Sequence, residues 1–145
     1  MTDSVKVQGP HVALLLGEAF ERVRRATEGP RWRGLRQSHL RILDTIEPEG
    51  SRAVDLARRL RMTKQGAGQL VATLLRLGLV DQVPDPADRR ARLLVLTDEG
   101  GELRGALEVR LAAIEEGWAD EVGAAEYATF RRVLLAIAER GVDGA

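Results

Sequence analysis

Met62 to Val80 reads MTKQGAGQLVATLLRLGLV, and the two faces of this stretch decide the fold. At 100° per residue, Ala67, Leu70, Val71 and Leu74 fall within about 100° of one another, the width of a helical stripe packed on a core. The opposite face holds Gln65, Gly68, Gln69, Ala72 and Arg76, with Thr73 on one edge. Thr63 stands where an N-cap belongs. Gly66 and Gly68 lie inside this helix, Gly68 on the outward face and Gly66 on a flank, and each costs about 1 kcal/mol relative to alanine. Burial of the apolar stripe has to offset them.

Upstream, Pro10 suits the first turn of a helix whose Val12, Leu15, Leu16, Ala19 and Val23 recur at helical spacing until Glu28-Gly29-Pro30 breaks it. Arg31 to Arg36 is a basic connector that carries Trp32. Ser38 is placed to cap a second helix, with Leu40, Leu43 and Ile46 inward, ending at Pro48 to Gly50. A third, short helix is expected from Ala53 to Arg61 with Val54, Ala57 and Leu60 inward, and Arg61-Met62-Thr63 turns the chain into the fourth.

Downstream, Leu79 to Val83 and Arg92 to Leu96 are strand-like, and the prolines and aspartates of PDPADRRA, Pro84 to Ala91, mark a long charged loop between them. Thr97 caps the next helix, where Asp98 and Glu99 suit the positive end and Gly100 and Gly101 weaken the start. Leu103, Leu107, Leu111, Ile114, Trp118 and Val122 form its stripe. After Gly123, the residues Tyr127, Phe130, Leu134, Ile137 and Gly141 alternate steps of three and four, the spacing of a coiled-coil seam.

The fold class that follows is mainly α with a small β-hairpin: a helix, a tight turn, a second helix and a hairpin form a winged helix-turn-helix, in which the second helix enters the major groove of DNA. Its outer face fits that role. Glutamine can bond bidentately to adenine and arginine to guanine, and threonine or alanine can contact a thymine methyl. Thr63 and Lys64 lie at the positive end of the helix, where a phosphate is favoured. An ordinary solvated face would more often carry Glu and Lys. In the hairpin, Asp88, Arg89, Arg90 and Arg92 sit where a wing lies against the minor groove, which attracts inserted arginines, and Asp88 is expected to hold one of them by an ion pair. Arg52, Arg58, Arg59 and Arg61 are candidates for further phosphate contacts.

Charge distribution agrees with this division. The 145 residues have a formal net charge of zero, yet residues 31–97 carry 13 basic and 7 acidic side chains, net +6, and residues 98–145 carry 5 and 11, net −6. Solvated helix faces would explain such runs. A basic module that meets a polyanion, carried by an acidic one that does not, explains their segregation as well. No run approaches the length of a membrane span and Met1 to Pro10 lacks the pattern of a signal peptide, so a cytoplasmic protein is expected. The chain has no cysteine and two histidines, His11 and His39. That removes disulfides and thiolate chemistry, and no metal site or cofactor is expected. Without a nucleophile paired with a base, or a phosphate-binding glycine loop, neither is catalysis.

MTKQ opening the fourth helix, LGLV closing it, then DPADRRA and LVLTDEG together resemble the MarR family of bacterial transcriptional regulators, from the first helix to the last. The Asp and Arg wing tip followed by an apolar strand and LTxxG is the most specific element. The resemblance implies one MarR-type domain over residues 1–145, with a winged helix-turn-helix at 31–97 and a helical dimerisation region at 10–30 and 98–143. It implies a homodimer, held by the first and the two C-terminal helices, on a pseudo-palindromic double-stranded operator, acting as a repressor. Thr63, Lys64, Gln65 and Gln69 match recognition-helix contacts, Arg90 with Arg89 matches the wing-tip arginine, and Asp88 its supporting aspartate; Gly68, Thr73 and Arg76 join them from the helix geometry.

At Gly66 members commonly carry a side chain, and here the sequence departs from the pattern. Members also respond to small molecules or oxidants. A thiol sensor is excluded here, and a small aromatic or lipophilic effector would meet Trp32, Arg36 and His39. These same residues are open to a plainer reading, as a helix histidine and a tryptophan packed over the connector. A winged-helix module used only for protein contacts is the alternative function; it would have no need of Gln65, Gln69 and the wing arginines.

Overall fold

Helical periodicity and helix caps account for most of the chain path. The structure, a computed structural model, describes residues 9–140. Its elements are α1 (Val12–Ala26), a 3-10 turn (Pro30–Trp32), α2 (Gln37–Thr45), α3 (Ala53–Arg59), α4 (Lys64–Arg76), β1 (Val80–Asp85), β2 (Asp88–Leu96), α5 (Asp98–Val122) and α6 (Ala124–Arg140). The architecture is the expected one, mainly α with one antiparallel hairpin among the described residues. The cap of α1 is His11, so Pro10 precedes the helix and does not belong to its first turn. Cα packing divides the chain into two compact units, with the division after Leu107.

The core lies in the first unit. Leu40, Ile42, Leu43 and Ile46 from α2 and its end, Leu56 and Ala57 from α3, Ala67, Val71 and Leu74 from α4, Leu79 and Val80 at β1, and Leu94 from β2 are buried. The inward face of α3 differs from expectation, because Leu56 is buried whereas Val54 is 44% exposed. Seven residues span only two turns, too few for periodicity to fix the phase, and packing of α3 on α4 sets it instead. Ser38 does not cap α2. The cap is Arg36, whose amide donates to His39 Nδ1 at 3.0 Å, so a side chain one turn inside the helix does the capping.

The hairpin also departs from expectation. Strands continue to Asp85 and resume at Asp88, leaving Pro86 and Ala87 as a tight turn where a loop over Pro84 to Ala91 was expected. Pairing runs from Val80 with Leu96 to Pro84 with Arg92, then jumps to Asp85 with Asp88. Arg89, Arg90 and Ala91 therefore bulge out of the ladder. Pro84 has no amide to donate, and a bulge is where a sheet tolerates that loss. Ser51 adds a third, one-residue strand: its amide donates to the Leu94 carbonyl at 2.9 Å and Leu94 returns the bond at 2.8 Å.

The second unit holds α5 from Glu108 onward and α6. Gly123, at φ +101, turns the chain between them. The Tyr127 hydroxyl donates to Glu115 Oε2 at 2.9 Å, Arg131 Nε reaches the same oxygen at 3.3 Å, and the Tyr127 and Phe130 rings lie 6.0 Å apart. On the expected seam Tyr127 is half-buried, while Phe130, Leu134 and Ile137 are exposed in the single chain; Gly141 lies outside the described residues. Among the described residues no helix is long and apolar enough to cross a membrane.

Candidate nucleic-acid interface

Arg61, in the left-handed region at φ 54, and a bond from the Met62 amide to the Ala57 carbonyl at 2.9 Å bring the chain sharply out of α3. Thr63 then caps α4, its Oγ1 accepting the Gly66 amide at 3.0 Å. The helix sorts its residues by face. Ala67, Val71 and Leu74 are buried and Leu70 is half-buried, whereas Thr63, Lys64, Gln65, Gly68, Gln69, Ala72 and Arg76 are exposed. Thr73, half-buried, donates its hydroxyl to the Gln69 carbonyl at 3.3 Å.

The two glycines now separate by cause. A Cβ at Gly66 would lie 2.9 Å from Thr63 Oγ1, the cap oxygen itself, so a side chain there disturbs the cap. At Gly68 a Cβ would meet nothing within 4 Å. Nothing among the described residues requires a glycine at 68.

On the wing, Arg89, Arg90 and Arg92 are exposed and form no ion pair among the described residues. Asp88 does not hold an arginine side chain as expected. Its Oδ1 accepts the backbone amide of Arg90 at 3.0 Å, shaping the bulge and leaving the guanidinium unpaired. The aspartate that does hold an arginine is Asp85, which is 7% exposed. Arg52 approaches its Oδ2 through Nε at 2.8 Å and Nη2 at 2.6 Å, and its Oδ1 accepts the Ala87 amide at 2.9 Å. The Ala87 amide, then the Arg52 guanidinium, hold the Asp85 carboxyl below the usual carboxylate range.

The arginines around α3 are engaged at home. Besides Arg52, Arg59 pairs with Glu47 at 2.6 Å and Arg58 with Asp55 at 3.4 Å. The surface cations without ion pairs among the described residues include Lys64 and Arg76 on α4 and Arg89, Arg90 and Arg92 on the wing. Sequence reasoning missed the tie between Arg52 and Asp85; an aspartate before a proline in a turn was its only local signal.

Of Trp32, Arg36 and His39, only Arg36 exposes its side chain. Trp32 is 4% exposed, with the Arg31 guanidinium carbon 5.7 Å from its ring centroid, and His39 is 6% exposed. Burial, then the nearby Arg36 charge, lowers the His39 pKa. With Nδ1 accepting the Arg36 amide, its proton sits on Nε2.

Residues 33–91 match the family model described as the MarR family. The uncharacterized protein Rv2011c of Mycobacterium tuberculosis is 32% identical over 138 residues, which cover 89% of this chain and 96% of that protein. Among solved structures, the PcaV transcriptional regulator from Streptomyces coelicolor is 25% identical with a TM-score of 0.70, over 93% of this chain and 100% of that one. CouR from Rhodococcus jostii RHA1, bound to p-coumaroyl-CoA, is 26% identical with a TM-score of 0.71, over 88% of each chain.

Proposed function

This chain belongs to the MarR family of winged-helix transcriptional regulators, and from that premise we propose that it is a sequence-specific repressor that binds a pseudo-palindromic operator as a homodimer in the cytoplasm. The observation that carries the reading is the outward face of α4. Gln65, Gly68, Gln69, Ala72 and Arg76 are exposed on a helix whose other side is core, and Arg89, Arg90 and Arg92 on the adjoining wing are free of ion pairs among the described residues. In this reading Gln65, Gln69, Thr73 and Arg76 face base edges in the major groove. Thr63, Lys64 and the first amides of α4 hold a phosphate, and Arg89 and Arg90 enter the flanking minor groove.

Dimerisation is supported by apolar side chains that a single chain leaves in water: Val12, Leu14, Leu15 and Phe20 on α1, and Phe130, Val133, Leu135 and Ile137 on α6. Release by a small aromatic or lipophilic effector is supported by the likeness to CouR, which binds p-coumaroyl-CoA. Arg36 would then meet the effector first, because Trp32 and His39 are buried and would need the connector to open.

Selection of bound duplexes from a random pool, followed by titration at two salt concentrations, tests the reading. An inverted repeat with half-site centres about 10 bp apart, bound less tightly as salt rises, is the expected result. Enrichment of no sequence would leave only a protein-contact module.

In this reading Gly68, exposed on the outward face of α4, lets the helix backbone approach the groove closely, and this gives a sharper check. Gly68→Ala meets no steric obstacle among the described residues, so it should stabilise the free chain by about 1 kcal/mol. Operator affinity should fall at the same time, because the added methyl stands between the helix backbone and the groove. Tighter binding by this variant would remove the close-approach argument.

A further inference from the structure

The wing of this protein is fastened to the helix-turn-helix at two adjacent residues, Ser51 and Arg52. Ser51 pairs its backbone with Leu94, near the base of β2, through bonds of 2.9 and 2.8 Å. Arg52, the N-cap residue of α3, reaches the other end of the hairpin and grips Asp85 beside the turn. Asp85 is buried although the rest of β1 beyond Val80 is exposed. Few apolar contacts hold the tip, since Asp81, Gln82, Val83 and Pro84 are exposed, as are Asp88, Arg89 and Arg90 across from the turn. A charge-assisted bond from a planar guanidinium supplies direction as well as attraction.

We infer that Arg52 and Asp85 form a positioning pair that sets where the wing arginines stand relative to α4, and that Arg52 is not itself a DNA contact. The inference rests on the regulator reading above. Its physical basis is that a two-stranded hairpin is marginal by itself, so a tip held only by its turn would sample many positions. Arg89 and Arg90 would then reach a minor groove only at the expense of ordering the whole wing. Tying Asp85 to α3, the helix that leads into α4, orders the tip before DNA arrives. The bulge made by Arg89, Arg90 and Ala91 begins just past Asp88, the residue paired with Asp85, so the anchor and the arginines lie on one short segment.

A direct phosphate contact and a positioning role make opposite predictions for Asp85→Asn. If Arg52 touched phosphate, loss of the Asp85 charge would free it, and binding would hold or tighten. With a positioning pair, Asp85→Asn and Arg52→Gln should each weaken binding about tenfold, the order expected for loss of one wing arginine contact. The double variant should be no worse than either single one.

The probes are the tightest duplex from the random-pool selection and the same duplex trimmed of the outer base pairs that the wing would cover. On the trimmed duplex the variants and wild type should bind alike, which a merely structural loss would not produce. Hydrogen exchange on the free proteins supplies a second readout: the amides of Asp85 and of residues 87–92 should exchange faster in both variants while those of α4 keep their protection. Wild-type affinity in Asp85→Asn, equal losses on both duplexes, or unchanged exchange in the wing would each overturn the pair's role. Failure of the wild-type chain to bind any duplex specifically would overturn the regulator reading and this inference together.

Discussion

Gly100→Ala should destabilise the fold by about 3 kcal/mol or more, read as a lower urea midpoint with an unchanged slope. A Cβ at this position would stand 1.9 Å from the Leu79 carbonyl oxygen and 2.9 Å from its carbon. Neither partner can easily withdraw. Leu79 is fully buried at the junction of α4 and β1, and its carbonyl accepts the Thr97 amide at 3.2 Å. Gly100 is held from the other side, because its own amide donates to Thr97 Oγ1 at 3.1 Å while that hydroxyl donates to the Gly78 carbonyl at 2.6 Å. Alanine would gain about 1 kcal/mol of helix propensity, well short of the overlap it creates. A midpoint within experimental error of wild type would mean that α5 does not start against Leu79 as described.

Gln69→Ala is expected to weaken operator binding by about 1–3 kcal/mol, roughly five- to 150-fold, and to relax sequence preference at one base pair of each half-site. Gln69 is exposed in the middle of the outward face of α4, between residues that are themselves exposed or small, so stability of the free chain should change by less than about 0.5 kcal/mol. The two readouts together separate a base contact from a folding defect. If selection with the variant returned the wild-type half-site with undiminished preference, Gln69 would not be reading a base.

These variants also mark where the sequence is readable and where it is not. The faces of α4 were legible because helical period and side-chain chemistry are both local: Ala67, Val71 and Leu74 are buried and Gln65, Gly68 and Gln69 exposed, as the spacing implies. Thr63 and Thr97 were legible as caps for the same reason, each bonding an amide three residues ahead. By contrast, Ser38 looked like a cap but gave way to His39, whose ring reaches back to the Arg36 amide from a buried position. PDPADRRA looked like a loop because its prolines and aspartates are turn formers. The strands nevertheless persist to a two-residue turn, because Asp85 is satisfied by Ala87 and Arg52 and the register jump absorbs Pro84.

By itself, then, the sequence determined the winged helix-turn-helix, the capped fourth helix with one apolar and one polar face, and the segregation of charge along the chain. All of these depend on interactions within a few residues of one another. Only the tertiary structure decided that Asp85, not Asp88, holds an arginine, that this arginine is Arg52, 33 residues away, and that Gly100 is needed for the backbone of Leu79 to pass. Such pairings depend on the path of the chain between their members, and no local period or cap records it.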